Sequence, residues 1–203
     1  MTQGVLTPKG QATRARIIEG AAEVLRELGV AGATLDDIRV RTGTSKSQLF
    51  HYFPDGKDAL LLAVAQYEAD QVLGDQQPYL GCLDSWEAWY QWRDILVERY
   101  EAQGDFCPLG ALFQQIGRTR PGARAIAVEL MREWQASLAA GIRALQQNGH
   151  LPASLDVDQA AAALLAGIHG GAAIMRATGD SAHMRAALDW WITQMRAASL
   201  VAS

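Results

Sequence analysis

The sequence predicts an all-α fold, and three observations carry that prediction. Apolar residues recur at helical spacing, and no stretch alternates in the manner of a strand. Capping and breaking residues, among them Gly29, Gly43, Pro78, Gly104, Pro108, Pro121, Gly149 and Gly179, cut the chain into helix-length pieces. Residues 34–57, TLDDIRVRTGTSKSQLFHYFPDGK, read as two short helices about a glycine turn. Together they predict about nine helices: an N-terminal three-helix head containing a helix-turn-helix, then a larger helical bundle.

In the head, Gln11 to Leu28 is one helix with Ile17, Ile18, Ala21, Ala22, Leu25 and Leu28 on one face and Gly29 as its stop. Thr34 caps the second helix, and Asp36 and Asp37 in its first turn complement the helix dipole. Leu35 and Ile38 face inward. Gly43 gives the sharp turn its backbone freedom. Ser45 caps a third helix over about Lys46 to Tyr52, with Leu49, Phe50 and Phe53 on its buried side. Thr44, Lys46, Ser47, Gln48 and His51 are left outside, with Tyr52 at the edge. Such a set of donors and acceptors on a short helix suits base edges and phosphates in a major groove. Lys9, Arg14 and Arg16 lie where an N-terminal arm reaches phosphates. Lys57 opens the next helix at an end that favours a phosphate.

The body follows its breakers. A connecting helix runs from Lys57 to about Gly74, then a loop through Pro78 to Gly81. Ser85 caps a helix to about Gln103 that carries Trp86, Trp89, Tyr90 and Trp92. Further helices are expected over about Leu109–Arg118, Pro121–Asn148, Asp156–Thr178 and Ser181–Ser199. The last two hold more apolar surface than one buried side requires. The stretch from Ala160 to Met175 is rich in Ala and Gly around Leu164, Leu165 and Ile168. The final helix carries Met184, Leu188, Trp190, Trp191, Ile192 and Met195. The pair is expected to form an isologous four-helix interface with a second copy.

At 203 residues the chain is long enough to bury a sizeable core, and 49% of its residues are apolar. No apolar run is read as long enough to span a bilayer and no leader is read at the N-terminus, so a cytoplasmic location is expected. Residues 1–57 hold 8 Lys and Arg against 6 Asp and Glu, a balance of +2, whereas residues 58–203 balance at −6. All three lysines fall in the first part, where phosphate-binding charge is needed. Cys82 and Cys107 make no disulfide framework. His51, His150, His169 and His183 are scattered without ligand spacing, so no metal site and no cofactor is expected. No helical metal pairing, phosphate loop or nucleophile elbow points to an enzyme.

Residues 13–65 resemble the DNA-binding domain of the TetR family of bacterial transcriptional repressors. The residues that carry the likeness are Arg16, Gly29, Thr34, Ile38, Gly43, Ser45, Leu49-Phe50-His51-Tyr52-Phe53 and Lys57. Arg39 stands where the family usually has a small Ala, Phe50 replaces the commoner Tyr, and Gly56 is one extra residue before Lys57. The stretch Phe106-Cys107-Pro108-Leu109-Gly110-Ala111-Leu112 is similar to a subgroup with LmrA- and YxaF-like regulators.

The resemblance implies a DNA-binding domain over residues 1–56 and a ligand-binding and dimerisation domain over 57–203. It implies that Thr34, Ser45, Tyr52 and Lys57 hold phosphates, and that Lys46, Ser47, Gln48 and His51 reach base edges or phosphates of a double-stranded operator. It also implies a small apolar or aromatic effector inside the C-terminal bundle. Candidate lining residues there are Trp86, Trp89, Tyr90, Trp92, Phe113, Trp134, His169 and Met175, His169 being a polar anchor. Homodimerisation through about residues 156–178 and 181–199 completes the expectation. Repression in the free state and release by effector is the leading reading. Control by thiol oxidation or a protein partner, and activation in place of repression, remain open at this level.

Overall fold

The computed structural model describes residues 6–103 and 121–201. Phe113, Cys107, the Phe106–Leu112 stretch and the helix expected over 109–118 lie outside the described residues. Eight α-helices are described: α1 Pro8–Gly32, α2 Leu35–Thr42, α3 Lys46–Tyr52, α4 Lys57–Gly74, α5 Trp86–Gln103, α6 Pro121–Gln147, α7 Val157–Thr178 and α8 Ala182–Val201. A 3-10 turn at Tyr79–Gly81 occupies the expected loop, and the described residues contain no strand.

The helix boundaries follow capping chemistry. Thr34 Oγ1 accepts from Asp37 N–H while Asp37 Oδ2 accepts from Thr34 N–H, and Ser45 with Gln48 repeats this reciprocal box at α3. Asp156 caps α7 through Gln159 N–H, and left-handed Gly179 ends it. Gly29 differs from expectation. At φ 70° it kinks α1, and the chain then resumes helix to Gly32. Leu28, expected inside, lies one residue before that break and is 50% exposed.

The chain divides into two compact units, with one division inside α4 after Gln71 and another inside α6 after Ala127. The first unit is built around Ile17, Ala21, Leu25, Ile38, Leu49, Phe53, Leu60 and Val64, all buried. Gly20 sets the approach of α1 to α2: a Cβ there would lie 2.4 Å from Thr42 Cγ2. Two polar contacts tie α4 to α1 within this unit. Lys57 Nζ donates to Val30 O at 3.0 Å and Ala33 O at 2.5 Å, and Arg26 pairs with the buried Glu68 at 2.7 Å.

The second unit has its own core of α5, α6, α7 and α8 side chains, including Trp89, Trp92, Leu96, Trp134, Leu138, Ile142, Leu164, Ile168, Leu188 and Trp191. Gly171 lets α7 and α8 cross closely, since a Cβ there would meet Met184 Cα at 2.5 Å. Arg93 of α5 pairs with Asp189 of α8, and Arg185 of α8 with Glu101 of α5.

One composition-based expectation is corrected. At mean hydropathy 1.3, α7 is long and apolar enough to pass for a membrane span by length and composition. Its buried side, from Ala160 through Leu164, Ile168 and Gly171 to Met175, accounts for that character as packing within the bundle.

Candidate nucleic-acid interface

The helix-turn-helix of α2 and α3 is set by backbone and hydroxyl bonds around Gly43. That residue sits at φ 59°, ψ 34°, and Thr44 N–H donates to Arg39 O at 3.1 Å. Thr42 Oγ1 lies 2.8 Å from both Ile38 O and Thr44 Oγ1. Arg16 of α1 donates to Thr42 O, so α1 also grips the turn.

These bonds correct part of the predicted contact set. Thr44, expected outside, is 4% exposed, because its hydroxyl packs against Thr42 in the turn. Thr34 is exposed, but its hydroxyl donates to Asp37 Oδ2 at 2.6 Å, which leaves no donor for a phosphate. The same hydroxyl, then the Thr34 amide, holds the Asp37 carboxyl below its ordinary range. Lys57, expected on a phosphate, instead turns its ammonium onto the carbonyls that end α1. Lys57→Met is accordingly expected to lower the stability of this unit by about 1.5–3 kcal/mol, the range for hydrogen bonds to a charged group. The salt dependence of DNA binding should stay unchanged. A slope reduced by about one would instead make Lys57 a phosphate contact. Arg14, expected in an arm, stands over the Phe53 ring at 5.4 Å.

What remains outward is the face of α3. Lys46, Ser47, Gln48 and His51 are all exposed, and Tyr52 is half-buried with its ring edge-on to His51 at 4.9 Å. Leu49 and Phe53 are buried as expected, but Phe50 is not. The capping box constrains two of these side chains. Ser45 Oγ accepts from Gln48 N–H, so its own proton stays free to donate. Gln48 Oε1 accepts from Ser45 N–H at 3.1 Å, which leaves its two N–H donors and one Oε1 lone pair for an outside partner. Arg39 turns along α2 to Asp36 at 2.5 Å and snorkels as its length allows. Its Nε is buried without a hydrogen-bond partner.

Two family descriptions match this chain, one of them over the helix-turn-helix. "Bacterial regulatory proteins, tetR family" matches residues 17–64, and "Tetracyclin repressor-like, C-terminal domain" matches residues 84–191, more than half of the chain. The chain belongs to the TetR family. Members of the family are transcriptional regulators and not enzymes.

The sequence is 26% identical over 113 residues to an uncharacterized HTH-type transcriptional regulator, Rv0196, of Mycobacterium tuberculosis, covering 53% of this chain and 55% of that one. It is 33% identical over 92 residues to the HTH-type transcriptional repressor AcnR of Corynebacterium glutamicum, covering 42% of this chain and 48% of that one. The matches thus span about half the length of these TetR-family relatives. The fold is that of a TetR transcription regulator from Haloarcula marismortui, with TM-score 0.79 at 18% identity over 92% of this chain and 98% of that one.

The predicted effector residues divide in the structure. Trp89 and Trp92 are fully buried and hydrogen-bonded, Trp89 Nε1 to Leu83 O at 3.1 Å and Trp92 Nε1 to Gln76 Oε1 at 2.8 Å. Trp89 also stacks on Trp191 at 4.9 Å. Both are core side chains in this arrangement. Met175 is buried in the same core, while Trp86 and Tyr90 are half-buried, and Arg93 stands over the Tyr90 ring. Trp134 and His169 differ from the rest. They meet edge to face at 5.5 Å, and Trp134 Nε1 and His169 Nε2 are buried without hydrogen-bond partners. Burial, followed by the charge of Arg176, lowers the imidazole pKa of His169 and favours its neutral form.

Proposed function

We propose that this chain is a dimeric repressor that reads a two-fold symmetric operator through α3 and is released by a small effector. The observation that carries the reading is the exposed polar face of α3, held by reciprocal caps on a turn that α1 grips from behind. Rigid presentation of donors on a short helix is what base readout requires. Ser45, Lys46, Ser47, Gln48, His51 and Tyr52 are the contacts this geometry favours. The functional division we adopt is a DNA-binding portion over residues 1–56 and a ligand-binding, dimerising portion over 57–203.

Dimerisation through α7 and α8 is supported by what these helices leave uncovered. Trp190 is 65% exposed and Ile174 39%. Ala163, Gly167, Ala187 and Trp190 border a shallow, largely apolar groove of about 270 Å³. A second copy laid across this face buries the indole and brings small residues together.

The effector reading is supported by the Trp134–His169 pair. Buried polar atoms are normally hydrogen-bonded, so an aromatic or apolar ligand bearing a hydrogen-bond acceptor suits the Trp134 indole N–H. Such a ligand weakens DNA binding if it favours a conformation in which the two heads no longer fit the half-sites, by reciprocity of coupled equilibria. AcnR is described as a repressor, which favours the same sign here. Enrichment of bound duplexes from a random library tests the DNA-reading core of the proposal. A recurrent sequence with two-fold symmetry is expected, and a pool that stays random would overturn it.

A further inference from the structure

Phe50 contradicts the expectation that it belongs to the core: it is 39% exposed in the middle of α3. Its neighbours on that surface, Ser47 one turn before and His51 beside it, are exposed and polar. One ring edge lies beside the turn at Gly56, where a Cβ would stand 3.6 Å away, an ordinary contact distance. An apolar ring set among hydrogen-bonding side chains needs an apolar counterpart on whatever α3 touches. In a major groove only one base presents one, since thymine carries a C5 methyl.

The surrounding polar groups fit that base and disfavour cytosine, and the methyl alone separates it from the purines. The Lys46 ammonium only donates, and Gln48, with one Oε1 lone pair taken by the cap, presents both of its N–H donors. Thymine offers the acceptor O4 next to its methyl, whereas cytosine offers an N–H donor there and no methyl. We propose that Phe50 is a specificity-determining residue that selects thymine in each half-site through its C5 methyl group. This rests on the DNA-reading assignment and adds a base identity to it.

The test uses the full chain and a duplex enriched from a random library, in which each thymine in turn is replaced by deoxyuridine in both half-sites. The replacement removes one methyl and leaves every hydrogen bond in place. One position is expected to lose affinity about fourfold per half-site, the equivalent of one buried methyl group. Phe50→Ala should bind the thymine and deoxyuridine duplexes equally, and Phe50→Tyr, which keeps the ring, should retain the difference. A scan of the unaltered protein with no sensitive thymine overturns the proposal without any variant. Sensitivity that persists in Phe50→Ala also overturns it, because another side chain then reads the methyl. A library that yields no enriched duplex removes the DNA-reading assignment itself, and the proposal with it.

Discussion

Trp89→Ala is expected to destabilise the C-terminal unit by about 4 kcal/mol, the range for deleting a large aromatic from a packed core. Trp89 is fully buried, stacks on Trp191, donates its indole N–H to Leu83 O, and lies beside Gly141, where a Cβ would already be 3.0 Å from its ring. Removing the indole leaves a cavity and an unpaired buried carbonyl together. Urea unfolding followed by circular dichroism would show the loss as a lowered midpoint. A variant as stable as the parent, with only its effector response changed, would make Trp89 a pocket wall and not a core residue. Trp134 carries the opposite expectation for its polar atom, since no protein partner for its N–H would be lost on substitution.

Gly20→Ala is expected to damage the DNA-binding head far beyond the size of one methyl group. The added carbon would stand 2.4 Å from Thr42 Cγ2, and Thr42 is buried with its hydroxyl bonded to Ile38 O. The strain of such overpacking is about 2 kcal/mol. It can be relieved only by moving α2, which carries the turn that aims α3. Specific DNA affinity should therefore fall by about tenfold or more, consistent with that energy. Gly32→Ala is the control, since its Cβ would meet only Leu28 Cβ at 3.7 Å and its affinity should match the parent. Equal affinity for Gly20→Ala would mean that the α1–α2 approach does not position α3.

The contrast between Gly20 and Gly43 shows what the sequence could and could not reveal. Gly43 is legible because turn glycines sit between capped helices, and the structure gives it the left-handed conformation expected there. Gly20 lies inside a helix with ordinary backbone angles. Its reason is a neighbour 22 residues away, which no local pattern encodes. The same distinction separates the helix caps, all local and all read correctly at Thr34, Ser45, Asp156 and Gly179, from the fate of Lys57. Charge and position suggested a phosphate contact for Lys57, and position alone an outward place for Thr44. The α1 carbonyls, distant in sequence, had taken the Lys57 ammonium, whereas Thr42 in the same turn had taken the Thr44 hydroxyl.

Aromatic residues show the same limit of local pattern. Helical spacing put Phe50 with Leu49 and Phe53, yet the buried arc of a seven-residue helix is narrow and Phe50 falls outside it. Clustering made Trp89 and Trp92 candidate ligand contacts, but their burial and their hydrogen bonds to Leu83 and Gln76, across a loop, are facts of packing. Within the predicted cluster the sequence did contain one usable hint: His169, flanked by Gly167, Gly170 and Gly171, is polar within an apolar helix. Its unpaired Nε2 bears out the oddity of that placement.

The central claim is that the outer face of α3 reads DNA sequence. The most direct measurement is the ratio of affinities for the enriched duplex and for random duplex at one fixed salt concentration. It should be made on the parent and on a Ser47→Ala, His51→Ala double variant. Both side chains are exposed, so helical content and melting temperature should be preserved. The account predicts a large ratio for the parent that collapses toward one in the variant, with non-specific binding little changed. A ratio that survives the double substitution would contradict it.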